Sequence, residues 1–101
     1  MTAGEPMDAQ REITYDGLDG FIDAMKREGV VRLACAEIRE KRATQVEPNV
    51  LSVVDLSRLE ILAYRRPTIH KCAIDTADFA AVYERLRAQG FEITRRSRNI
   101  T

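Results

Sequence analysis

The chain has 101 residues with a formal net charge of zero, 45% apolar residues, two cysteines and one histidine. That length sets a single-domain expectation and is enough to bury a core without disulfide staples. The apolar runs are far shorter than the ~18–20 residues of a membrane helix, and the balanced charge argues against a dedicated polyanion binder.

Residues 1–10 are small and polar with no period, and read as a flexible N-terminal tail ahead of one α+β domain over residues 11–101. No apolar secretory stretch precedes the domain, and two cysteines outside any cystine frame fit a reducing, cytoplasmic compartment. Glu12 to Tyr15 predicts a short strand. Asp16 to Glu28 predicts a helix, capped by Asp16 or Asp19, in which Leu18, Phe21, Ile22 and Met25 recur at i, i+3, i+4 and i+7. Gly29 ends it in a left-handed turn. Val30 to Arg39 fits either helix or strand, and the two valines directly after Gly29 favour strand.

Glu40 to Asn49, polar and containing Glu47-Pro48-Asn49, reads as a loop or turn. Val50 to Leu56 reads as a strand. Ser57-Arg58-Leu59-Glu60 matches a helix capping box, against which stands a hairpin with a turn at Asp55 to Arg58 and a strand over 59–65; the strand is preferred. Thr68 to Asp75 predicts a strand, Thr76 to Gln89 a helix capped by Asp75 or Thr76, and Phe91 to Arg96 a final strand.

The second unit echoes the first. Ile13 and Ile74, Phe21 and Val82, Met25 and Leu86, and Gly29 and Gly90 are each 61 positions apart. Two strand–helix–strand units with an inserted strand or hairpin around residues 50–66 predict a two-layer sandwich. Its helices lie on one face of a mostly antiparallel sheet, in the split βαβ, ferredoxin-like order. That architecture hosts many functions.

Strand parity distributes the chemistry. Val31, Leu33 and Cys35, His70, Cys72 and Ile74, and Phe91 and Ile93 should face the helices. Arg32, Lys71 and Arg96 should then share the opposite face, with Arg98 near its edge. Arg65 and Arg66, beside Pro67, form a second local anion site. Together Arg32, Arg65, Arg66, Lys71, Arg96 and Arg98 define an RNA- or phosphate-binding alternative, weakened because no Phe reaches that face to stack on bases. Cys35, His70 and Cys72 are the metal candidates, against the plainer reading of two buried thiols and a histidine capping the end of a strand. Asp16-Gly17-Leu18-Asp19-Gly20 offers backbone donors, but its carboxylates would repel phosphate. It reads as a helix entry.

No nucleophile–base pair or nucleotide fingerprint is spaced for chemistry. The reading is therefore a non-catalytic, cofactor-free protein-interaction or regulatory module that self-associates through its sheet. RNA or phosphate binding and thiolate–imidazole metal binding are the alternatives.

Overall fold

A computed structural model describes the backbone of residues 11–100 and the side chains of residues 11–97. The expected tail, residues 1–10, lies outside the described residues. The fold is α+β: β1 (Arg11–Tyr15), α1 (Leu18–Glu28), β2 (Arg32–Glu47), β3 (Val50–Arg65), β4 (Thr68–Asp75), α2 (Phe79–Ala88) and β5 (Glu92–Ile100). The strands form one sheet in the order β1-β4-β3-β2-β5.

Both helical stripes do what their spacing predicts. Phe21, Ile22 and Met25 of α1 and Phe79, Tyr83 and Leu86 of α2 are buried, with Leu18 and Val82 packed against them. They share one apolar cluster with Leu33, Cys35, Leu59, Ile61, Ala63 and Cys72, the inward residues of the central strands. Arg85 of α2 pairs with Asp19 of α1, tying the helices together at their exposed flank. Gly29 closes α1 in the left-handed region, φ 71°, as its position predicts.

The caps differ from expectation. Gly17, not Asp16 or Asp19, occupies the N-cap of α1, at φ 129° and with no side-chain cap bond. Helix α2 starts at Phe79 rather than Thr76 because Asp78 is its cap and accepts from the Ala81 amide. Thr76 instead accepts from the amide of Asp78, turning the chain before the helix.

The sheet differs more. It is mixed, not mostly antiparallel: β1 pairs parallel with β4 and β2 with β5, while β3 runs antiparallel to both β2 and β4. Two strands separate the ends of each strand–helix–strand unit, so the order is not the ferredoxin-like one. The cause lies between the units. Residues 40–47 are strand, leaving only Pro48-Asn49 of the expected loop or turn as a turn, and 55–58 are not a turn. Instead β2 and β3 continue as 16-residue strands joined only at Pro48-Asn49, with Asn49 at φ 70°. Val53 and Val54 lead the strand into Asp55, which pairs with Lys41, and the capping box at Ser57 is overridden by pairing with Arg39.

Candidate interaction surface

The core side of the sheet is closed by internal partners. Glu37, only 5% exposed, lies one pleat beyond Cys35 on β2. Its Oε2 accepts from the Tyr83 hydroxyl at 2.6 Å and from Arg95 Nε at 2.9 Å. The Arg95 guanidinium also lies 4.7 Å over the Tyr83 ring. These partners hold the Glu37 carboxyl below its ordinary range, the Tyr83 bond foremost, although burial opposes the shift. Burial, reinforced by the Glu37 charge, pushes the Cys35 thiol up to about 12. At the other end of the sheet, His70 is buried and hydrogen-bonds the Tyr15 hydroxyl through Nδ1 at 2.8 Å.

The metal candidates do not converge. Cys35 and Cys72 both oppose Ile61, one from each side, so the width of two strand spacings, about 9.5 Å, separates their backbones. Both thiols are free and buried, and burial raises Cys72 as well. His70 sits mid-strand against Tyr15 rather than capping a strand end. Among the described residues, no three His, Cys, Asp or Glu side chains gather as a ligand set.

Arg32, Lys71 and Arg96 do share the face away from the helices, as parity requires. That face is mixed in charge rather than basic. Arg32 pairs with Glu92 at 3.0 Å, Arg58 with Glu60 at 3.3 Å, and Lys71 reaches Glu60 at 4.0 Å. Arg65 and Arg66 are exposed at the β3–β4 turn, at the end of the sheet where β2 begins with Arg32. The Arg98 backbone pairs with Ile38, and its side chain lies outside the described residues. Val31, expected inward, precedes β2 and is exposed. Tyr64 supplies the exposed aromatic that an inspection of phenylalanines alone misses.

The feature sequence reasoning missed is the far half of the β2–β3 hairpin. Strand β5 follows β2 only as far as Glu40, and β4 follows β3 only from Arg58 onward. Residues 41–57 therefore form a two-stranded ribbon without neighbours among the described residues. Every residue from 41 to 56 is exposed. Val46, Val50, Leu51, Val53, Val54 and Leu56, all large and apolar, stand on it, with Leu51 at 69% and Val53 at 64% exposure. Pairing places Val53 opposite Ala43 on the helix side and Val54 opposite Arg42 on the other, so each face carries apolar side chains. A signal was present in Val50 to Leu56, whose apolar residues occur at both parities. At the root of the ribbon, Ile38, Glu40, Arg42, Leu56, Ser57, Arg58 and Asp75 line a cleft of about 340 Å³. Among the described residues, Arg58 Nε is the buried side-chain polar atom left without a partner.

No protein-family model and no curated protein matches the chain. Among the described residues no helix is long and apolar enough to cross a membrane.

Proposed function

We propose that this chain is a small, non-catalytic protein-interaction module of the cytoplasm, a two-layer domain that self-associates through its sheet. The observation that carries the reading is the ribbon over residues 41–57. A lone hairpin is marginal in water, and ordinary monomers rarely display a contiguous apolar patch beyond a few hundred Å². Six large apolar side chains on one projecting ribbon therefore favour a protein partner. The buried polar groups support a structural role, since Glu37 is engaged by Tyr83 and Arg95 and His70 by Tyr15. Two free cysteines fit a reducing compartment. The mixed ion pairs of the open face favour protein over nucleic acid.

Light scattering over a concentration series tests the reading. The expected result is a dimer or larger species that persists, or strengthens, as salt is raised, because apolar burial is not screened. A strict monomer at millimolar concentration would overturn it. A shift of mixed RNA at low salt that disappears at physiological salt would instead favour the phosphate-binding alternative.

A further inference from the structure

The four outer strand edges of this sheet are not equally defended. Edge strands escape unwanted pairing when they are short or when they carry charge, lysine above all. β1 has five residues, two of them charged. β5 carries Arg95, Arg96 and Arg98. The outer edge of β2 on the ribbon carries Lys41, Arg42 and Glu47. The outer edge of β3 on the ribbon reads Val-Leu-Ser-Val-Val-Asp-Leu-Ser from Val50 to Ser57, with one charge, no lysine and no proline. It is the one undefended edge among the described residues.

That edge is also an interrupted lane. β4 occupies it alongside β3 from Arg65 to Arg58 and stops at Asp75. Beyond this point the amides and carbonyls on that side of Val50–Ser57 have no strand neighbour among the described residues. The cleft at the ribbon root, which holds Leu56, the unpartnered Nε of Arg58 and Asp75, opens where the lane becomes vacant.

Resting on the self-association reading, we infer that the vacant lane is filled by the same strand of a second copy, β3 against β3, antiparallel about a two-fold axis at Val53. Three observations select this occupant and this register. An antiparallel strand is self-complementary, as a two-fold interface requires. The vacancy runs from the ribbon tip to Arg58, so the segment that would fill it has the same length as the segment that lacks a partner. Charge excludes an axis at Asp55, and the middle of the vacant segment Val50–Ser57 falls beside Val53. Each Asp55 already lies opposite Lys41 of its own ribbon, and an axis at Val53 sets it across from Leu51 of the second copy. An axis at Asp55 would oppose two carboxylates. In this register Val50 meets Leu56 of the second copy, and each ribbon tip reaches the end of the other copy's β4. The two hairpins become a four-stranded bridge.

Single-cysteine cross-linking in the otherwise native chain provides the test, because Cys35 and Cys72 are buried and leave the background quiet. Cysteine is placed in turn at Ser52, Val53, Val54 and, on the opposite edge of the ribbon, Thr44. Oxidation should join two chains fastest at Val53→Cys, by at least about ten-fold over Thr44→Cys, since disulfides need Cβ atoms within about 4.5 Å. In parallel, Val53→Lys should yield a monomer and Thr44→Lys should not. An oligomer that survives Val53→Lys, with cross-linking no faster at Val53 than at Thr44, overturns the edge pairing while leaving self-association standing. A monomeric native chain overturns both. If circular dichroism shows that Val53→Lys does not fold, the cysteine series alone decides.

Discussion

Glu37 carries more interactions than any other buried charge described. One carboxylate oxygen serves a phenol and a guanidinium at once, and its own strand neighbours are apolar. Removing the hydroxyl in Tyr83→Phe should cost about 1.5–3 kcal/mol, the range for a hydrogen bond to a charged group. The charge itself gives a pH signature. The folded-state pKa of Glu37 is depressed, so its contribution is present above the ordinary carboxylate range and is lost as pH falls through the folded value. Denaturant melts from neutral to acid pH should show that loss, and Glu37→Gln should flatten it. An unchanged acid slope in Glu37→Gln would show that the carboxylate is not held as described. None of this was legible beforehand. Glu37 and Arg95 lie 58 residues apart and meet only because β2 and β5 pair in parallel with Cys35 beside Arg95. The contrary holds for Cys35, Cys72 and Ile74, whose inward facing follows from alternation alone.

At the scale of elements, the two helical stripes were readable because four apolar residues at helical spacing admit one burial solution each. Met25 and Leu86 sit at matched places in the two stripes and are both fully buried. Met25→Ala and Leu86→Ala should each cost about 2–5 kcal/mol. Urea melts of the two variants would check this, and a harmless truncation at either position would break the equivalence of the units. The strands were less readable. Most of their parities follow from the sequence, but the two short strands expected over 50–56 and 59–65 are one strand, β3, and the mixed pairing and the separation of each unit's ends by two strands depend on which neighbours β3 takes. The polar run Glu40–Gln45 looks like a loop because an isolated ribbon, wet on both faces, has no buried face to impose alternation. Pairing with a β-branched partner strand holds it extended.

For the whole molecule, the radius of gyration is 17.2 Å, against roughly 13 Å for a compact 100-residue domain. The excess comes from the projecting ribbon, and the longest dimension reaches 56 Å. Elongation follows directly if the ribbon is the arm through which two copies join. The candidate surface was thus half visible in the sequence. That Arg32, Lys71 and Arg96 share one face follows from alternation, yet the acids that pair with Arg32 and Lys71 on neighbouring strands and the apolar ribbon beyond them are products of register.

The interleaving of the two units has a consequence for how the chain comes together in time. Among the described residues β1 pairs with one strand, β4, whose first residue, Thr68, enters the chain 57 residues after Arg11. Helix α1 rests chiefly against those same two strands. As synthesis proceeds from the N-terminus, the hairpin β2–β3 can close by itself, but α1 keeps Phe21, Ile22 and Met25 uncovered until β4 arrives, and β2 waits longer still for β5. Neither repeat is therefore a folding unit, despite its internal pattern. Such distant pairings are slow to form. In pulse-labelled refolding, amides of the hairpin nearest the turn at Pro48-Asn49 should gain protection before those of α1. Helix α1 protected first, or a folded fragment ending at Glu47, would mean that the first unit organises itself after all.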